Sequence, residues 1–115
     1  VVNAGHLPVI HLSRAGEIRT LAAEGDILGV FEDVLFEPLR MPVCAGERFF
    51  LFTDGLLEVF GDDPRGREEG IDALMACCAE TREQPIGRAV DEIVSLICPD
   101  RGRMQDDVLL LGVEV

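Results

Sequence analysis

Acidic side chains stand at the ends of two hydrophobic strands that the sequence predicts. Asp54 closes a strand at residues 49–53 and is followed by Gly55, and the pair Asp106-Asp107 stands just before a strand at residues 108–115. If the two strands are antiparallel neighbours, their acidic ends share one edge of the sheet. Carboxylates gathered there repel one another unless a cation or a proton joins them. The pattern therefore favours a Mg²⁺ or Mn²⁺ site, and the alternative is an Asp-Gly turn beside a solvated acidic loop.

Composition narrows the class of protein. The 115 residues are enough for one domain or part of one, and a hydrophobic content of 48% predicts a folded core. The net charge is −12 and all ten basic residues are Arg, which argues against nucleic-acid binding because that needs a basic face. With neither an apolar run of membrane-spanning length nor a signal peptide, we expect a cytoplasmic protein without membrane insertion.

The four cysteines do not form a metal-binding pattern. Cys77 and Cys78 are adjacent, Cys44 and Cys98 are isolated, and no two cysteines have the Cys-x-x-Cys spacing. A zinc site is therefore not expected, and we interpret the four as reduced thiols, mostly in the core.

The first part of the chain predicts β-structure. Residues 1–3 look like the end of a strand, and strands at residues 8–13 and 17–22 flank a hairpin turn at residues 14–16. A loop with a glycine at each end is predicted at residues 25–29, and a further strand is predicted at residues 34–41.

The second part changes to helical periodicity. After a loop at residues 61–66, apolar residues at helical spacing predict a helix near residues 68–80 and another near 86–97. The strand at residues 108–115 is apolar enough to be central in a sheet. The order predicts an α+β fold in which an antiparallel sheet has both helices packed on one face.

Four segments, in this order and spacing, resemble the C-terminal half of SpoIIE-like phosphatases. They are residues 3–8, the loop at 25–29, residues 52–58 with the motif Thr53-Asp54-Gly55, and Asp106-Asp107-Val108. These phosphatases are bacterial members of the metal-dependent (PPM, type 2C) protein serine/threonine phosphatases. The resemblance covers nearly the whole chain, so residues 1–115 are expected to be the C-terminal part of one such domain. It implies an incomplete form of the family's α-β-β-α sandwich.

The resemblance also implies the roles of individual residues. Asp54 and Asp106 would be ligands of a site that holds two Mg²⁺ or Mn²⁺ ions, and a bound water would attack phosphorus without a covalent enzyme intermediate. No side chain would be catalytic beyond the metal ligands. Residues that support or tune the site would be Asp107, Gly55, Asn3 and His6. For His6 the alternative is a surface or capping residue, whereas His11 and the Asp62-Asp63 turn are expected to be structural.

The implied activity is hydrolysis of phosphoserine or phosphothreonine on a regulatory protein, such as an anti-sigma-factor antagonist, under the control of an upstream sensor or receiver domain. A phosphatase-like binding module without catalysis is the alternative.

Two departures from the family pattern bear on that choice. The family draws further acids, including an Asp that bridges both metals, from an N-terminal half that this sequence lacks, and Leu109 stands where the family usually has Thr. We therefore expect the 115 residues alone to be inactive, to bind metal weakly, and to form a homodimer through exposed strands.

Overall fold

Four strands form one antiparallel sheet, and two helices cover one of its faces. The computed structural model describes residues 1–22, 36, 38–100 and 107–115. The strands are β1 (Val9–Leu12), β2 (Ile18–Leu21), β3 (Arg48–Phe52) and β4 (Leu110–Glu114), in the spatial order β2-β1-β3-β4. Between β3 and β4 the chain forms a 3₁₀ helix (Asp54–Phe60), α1 (Pro64–Glu80) and α2 (Ile86–Ile97). None of the described helices is long and apolar enough to span a membrane.

The β1–β2 hairpin forms where the sequence predicts it. Gly16 has φ +91°, a value that favours glycine, and the Ser13 N–H donates to the carbonyl of Glu17 at 2.8 Å. Residues on β1, β2 and β3 then pair in antiparallel register, with Ile10 opposite both Thr20 and Phe50.

The core lies between the sheet and the helices. The inward side chains of β1 and β3 pack against the buried faces of both helices, and the cluster includes Ile10, Phe50, Phe52, Leu74 and Ile93. At Gly112 of β4, an added Cβ would lie 2.8 Å from Cγ2 of Val90 and 3.0 Å from Cδ1 of Ile86. Glycine at this position therefore lets α2 approach the strand. The predicted fold class, with both helices on one face of an antiparallel sheet, is confirmed.

Several predicted boundaries differ from the structure. The first helix begins at Pro64, inside the predicted loop, because the Asp63 side chain accepts from the Gly66 N–H at 2.9 Å and proline suits the first helical position. Residues 38–41 are not in a strand, and residues 34, 35 and 37 lie outside the described residues. Val1 does not enter the four-stranded sheet, although it exchanges two backbone hydrogen bonds with Leu39.

The last strand is at an edge of the sheet and not in its centre. Among the described strands β4 pairs only with β3, and its side chains Leu111 and Val113 are 50% and 42% exposed. The apolar run predicted a central strand, but the side chains of Leu111 and Val113 point to the sheet face opposite the helices. Phe49 and Leu51 of β3 lie beside them on this face. We call Phe49, Leu51, Leu111 and Val113 the open face.

A polar cluster borders the open face. Arg19 Nε donates to His11 Nδ1 at 3.3 Å, and the other ring nitrogen of His11 lies 3.1 Å from a carboxylate oxygen of Glu47. The His11 ring also stacks on Phe49 with centroids 4.9 Å apart. The expectation that His11 is structural agrees with this buried, fully bonded position.

The buried guanidinium of Arg48 joins the sheet to the helix pair. Its Nε donates to a Glu114 carboxylate oxygen at 2.6 Å, and its terminal nitrogens donate to the carbonyls of Thr81 at 3.3 Å and Gln84 at 2.6 Å. Thr81 and Gln84 lie between α1 and α2. One side chain of β3 therefore bonds to β4 and to the connection between the helices.

We predict that Arg48→Met lowers the free energy of unfolding by about 2 kcal/mol or more, because it removes three charge-assisted hydrogen bonds that join β3 to β4 and to the connection between the helices. The measurement is urea-induced unfolding. Arg65→Met is the matched control, since Arg65 makes an exposed pair with Glu69 on one helix and should cost less than about 0.5 kcal/mol. Equal effects of the two substitutions would contradict the role of Arg48.

Candidate active site

The acidic ends of β3 and β4 lie at the same edge of the sheet, as their antiparallel pairing requires. Phe52 is opposite Leu110, and the Thr53 N–H donates to the carbonyl of Leu109 at 3.1 Å. β3 and β4 are therefore antiparallel neighbours, which is the condition on which the predicted shared acidic edge depends. Asp54 follows the end of β3 that lies beside the start of β4.

The hydroxyl of Thr53 joins the two chain segments at this edge. It donates to the carbonyl of Asp107 at 2.7 Å and accepts from the N–H of Leu109 at 3.0 Å. Thr53 was not among the predicted site residues, although it precedes Asp54 in the Thr-Asp-Gly motif. These two hydrogen bonds hold the backbone next to Asp54 beside the backbone of residues 107–109.

Asp54 begins the 3₁₀ helix and is exposed. One of its carboxylate oxygens accepts from the N–H of Gly55 at 3.1 Å, and Gly55 itself is buried. Asp54-Gly55 therefore begins a helix that continues to Phe60 and is not an isolated turn, and the role of Asp54 as a metal ligand stays a prediction. Its apolar residues Leu56 and Leu57 anchor the segment in the core, and the Asp54 carboxylate remains at the surface.

Two glycines of α1 allow the 3₁₀ helix to pack closely against it. A Cβ at Gly66 would strike the Phe60 carbonyl oxygen, and a Cβ at Gly70 would lie 3.2 Å from Cβ of Leu57. This close approach places the start of α1 beside the segment that carries Asp54.

Asp54 lines an open cavity of about 250 Å³ together with two further acids. Glu58 and Asp62 contribute the other carboxylates, Arg67 contributes the single positive charge among the described lining residues, and Leu7 and Leu57 contribute apolar surface. Glu58, Asp62 and Arg67 were not predicted as site residues. Glu58 is four residues after Asp54 and Asp62 lies just beyond the 3₁₀ helix, whereas Arg67 reaches the cavity from α1, which packs against the 3₁₀ helix.

The predicted supporting residues Asn3 and His6 build the turn before β1. The Asn3 side-chain oxygen accepts from the N–H groups of Gly5 at 3.0 Å and His6 at 2.7 Å, and its amide donates to the His6 carbonyl at 2.8 Å. The His6 ring bonds through Nδ1 to the carbonyl of Leu7 at 2.6 Å. The turn thus brings Leu7 to the wall of the Asp54 cavity.

The second predicted ligand, Asp106, lies outside the described residues, and Asp107 is exposed. The donors around the cavity are carboxylates, which suit a hard cation such as Mg²⁺ or Mn²⁺. Within residues 1–22, 36, 38–100 and 107–115, no three His, Cys, Asp or Glu side chains gather closely enough to hold a metal ion by themselves. The described residues therefore fit part of an oxygen-donor site.

The cysteines do not offer an alternative chemistry. Burial raises the pKa of the Cys78 thiol to about 12, and burial followed by the nearby Glu80 and Glu92 raises the pKa of Cys77. Both thiols are protonated at neutral pH and are poor nucleophiles. All four cysteines are free, and they lie mostly in the core as expected, since Cys78 and Cys98 are buried, Cys77 is half-buried and only Cys44 is exposed.

We predict that Thr53→Val loosens the β3–β4 edge and lowers the free energy of unfolding by about 1 kcal/mol, because it removes the hydrogen bonds of the hydroxyl to the Asp107 carbonyl and the Leu109 N–H. Thr53→Ser keeps the hydroxyl and should stay within about 0.5 kcal/mol of the parent. Amide exchange at Leu109 and urea unfolding provide the measurements. Fast exchange in both variants, or in neither, would show that the hydroxyl does not hold this edge.

Comparison with known proteins identifies the family. The family model of Stage II sporulation protein E (SpoIIE) matches residues 1–115. No curated protein sequence matches the chain.

Solved structures share the fold at low sequence identity. The RsbU and RsbW domains of Rv1364c from Mycobacterium tuberculosis align with a TM-score of 0.79 at 23% identity, covering 98% of this chain and 31% of that one. The SiaA-PP2C domain of Pseudomonas aeruginosa gives 0.66 at 20%, covering 94% and 43%. The manganese-presoaked phosphatase domain of SpoIIE from Bacillus subtilis gives 0.64 at 17%, covering 99% and 49%.

The chain therefore spans less than half the length of each of these relatives. The chain shares its fold with these PP2C phosphatase domains, and because a family model matches its whole length, it belongs to the SpoIIE family.

Proposed function

We propose that the protein is a Mg²⁺- or Mn²⁺-dependent phosphatase that hydrolyses phosphoserine or phosphothreonine on a regulatory protein. The observation that carries the proposal is the β3–β4 edge, where Thr53 bonds the backbone at Asp107 to the strand that ends beside Asp54. Family membership supports the reaction class. An edge held in this way gives carboxylates from two distant segments a fixed relative position.

In this proposal Asp54 and Asp106 hold the metal, and Asp107, Gly55, Asn3 and His6 support the site. Two bound divalent cations would acidify a water molecule and neutralise the phosphoryl oxygens. The chain's own residues fix the carboxylates: the Gly55 N–H orients the side chain of Asp54, and Thr53 fixes the backbone before β4. The turn built by Asn3 and His6 sets the apolar wall at Leu7. Further ligands, including an acid that bridges both ions, would come from chain beyond these 115 residues.

We further propose that the substrate is an anti-sigma-factor antagonist, that an upstream sensor or receiver domain controls the activity, and that the protein acts in the cytoplasm. The similarity to a protein that contains RsbU and RsbW domains supports a setting of regulatory protein partners. The net charge of −12 supports the expectation that nucleic acid is not a partner.

A binding module without catalysis is the second candidate, and Leu109 is the observation that favours it. Its N–H bonds to Thr53, but its side chain is 56% exposed and offers no hydroxyl where the family usually has Thr. A full-length protein that binds a phosphoprotein in the presence of Mn²⁺ without releasing phosphate would be such a module.

We predict that Asp54→Asn in the full-length protein lowers Mn²⁺-dependent phosphate release from a phosphoserine protein at least about tenfold, because an amide is a weaker ligand than a carboxylate. The amide keeps an oxygen that can accept from Gly55, so the unfolding curve should not change. Asp91→Asn, an exposed acid on α2, is the control. Activity of Asp54→Asn within about twofold of the parent, or about 0.4 kcal/mol in barrier, would exclude Asp54 as a ligand.

We also propose that the 115-residue chain by itself forms a dimer through β4. The strand offers an unpaired edge among the described strands, and Leu109, Leu111, Val113 and Val115 on or beside it are at least 42% exposed. At physiological salt, repulsion from the net charge of −12 is screened beyond about 8 Å.

We predict a dimer in light scattering of this chain and a shift to monomer on Leu111→Lys, because the substitution places a charge in the apolar contact. It also reduces the net negative charge, so dissociation cannot be attributed to stronger repulsion between copies. Leu96→Lys, at an exposed leucine of α2, is the control and should remain dimeric. A monodisperse monomer at high protein concentration would refute the dimer.

A further inference from the structure

One face of α1 borders a groove that the proposed catalytic residues do not use. The helix buries one stripe, which contains Gly66, Gly70, Leu74 and Cys78. A second stripe, offset around the helix, lines an open groove of about 460 Å³ opposite the β1–β2 hairpin. This volume lies in the range of roughly 300–1,000 Å³ that is usual for binding sites.

The groove has an apolar floor and an acidic rim. Pro64, Ile71 and Met75 line it from α1 and Pro8 from the chain before β1. Ile71 and Met75 are half-buried, so each rests on the core and still shows apolar surface to solvent. The exposed acids Glu68 and Asp72 stand on the same helical face, four residues apart. We call this site the α1 groove.

The α1 groove adjoins the Asp54 cavity at Arg67. Arg67 lines both spaces, and consecutive residues of the first turn divide between them, since Leu7 lines the cavity and Pro8 lines the groove. A bound chain in the groove would therefore reach the cavity past Arg67. A guanidinium at this junction can pair with a phosphoryl oxygen or a carboxylate.

We propose that the α1 groove binds the segment of the phosphoprotein substrate next to its phosphorylated residue, and that it selects an apolar side chain followed or preceded by Arg or Lys. This inference rests on the proposed function of the Asp54 site. The apolar floor supplies the contact for the apolar side chain, and Glu68 and Asp72 at the rim favour a positive charge. Because the groove and the Asp54 cavity adjoin at Arg67, a segment bound in the groove would bring the neighbouring phosphorylated residue to the cavity.

The test is fluorescence anisotropy with the full-length protein and two fluorescein-labelled phosphoserine peptides. Both peptides carry an arginine, and they differ only in a leucine or an aspartate near the phosphoserine. The parent should prefer the leucine peptide. Met75→Glu should weaken binding of that peptide about tenfold, equivalent to about 1.4 kcal/mol, and leave binding of the aspartate peptide within about twofold. Leu96→Glu makes the same kind of change at an exposed position of α2 and should alter neither.

A second pair of variants tests the charge without touching the core. Asp72→Lys should weaken binding of the leucine peptide. A version of the leucine peptide in which glutamate replaces the arginine should instead bind the Asp72→Lys protein better than the parent protein. Asp91→Lys, on the exposed side of α2, changes the net charge equally and is the control. Circular dichroism of each variant establishes that the protein is folded.

The groove and the phosphatase function can fail separately because anisotropy does not require turnover. If the parent releases phosphate but Met75→Glu and Asp72→Lys bind both peptides as the controls do, the α1 groove is not a docking site and the proposed function stands. If the parent releases no phosphate but the variants lose leucine-peptide binding as expected, the groove stands and the enzymatic proposal fails. Loss of hydrolysis of p-nitrophenyl phosphate in folded groove variants would place the fault in the active site and overturn the docking role.

Discussion

The buried guanidinium of Arg48 is the interaction on which the arrangement of sheet and helices depends. A cation removed from water is stable only if nearly all its donors find acceptors, and Arg48 finds them in Glu114, Thr81 and Gln84. These partners belong to the neighbouring strand and to the connection between α1 and α2. A shift of the strand or of the helix pair would leave buried hydrogen-bonding groups unpaired. The same register that satisfies Arg48 at one end of β3 sets the pairing of Thr53 at the other.

Local signals in the sequence were sufficient for the elements that local interactions create. Gly16 marked the β1–β2 turn, and helical spacing of apolar residues located α2 with its observed bounds. The helical region after residue 53 was harder. The sequence of the Asp54–Phe60 helix has no apolar periodicity that distinguishes it from a turn. The start of α1 was predicted as a loop because Pro64 and Gly66 are typical loop residues, although Asp63 caps the helix there with a short-range hydrogen bond.

The same distinction applies to the residues of the candidate site: those marked by local sequence were predicted, and those brought there by long-range contacts were not. The position of Asp54 at the end of β3 was predictable because the hydrophobic run before it is recognisable as a strand, whereas the antiparallel pairing of β3 with β4 was only a condition of the prediction. Thr53 was missed because its two partners are remote in the chain, and Arg67 was missed because helix packing brings it to the cavity. Asp62 was interpreted as a structural turn residue. The apolar run at residues 108–115 predicted a central strand. The structure instead uses alternate residues for two different surfaces, of which one packs under α2.

The pairing of β3 with β4 has a consequence for how the protein is made. Thr53 and Leu109 are 56 residues apart, and both helices lie between them. During synthesis the hairpin and helices can form as they leave the ribosome, but the edge that carries Asp54 has no partner strand until the last of these elements has emerged. Closing so long a connection is among the slower steps of folding. A nascent or truncated chain without β4 would therefore be compact before the edge beside Asp54 had formed.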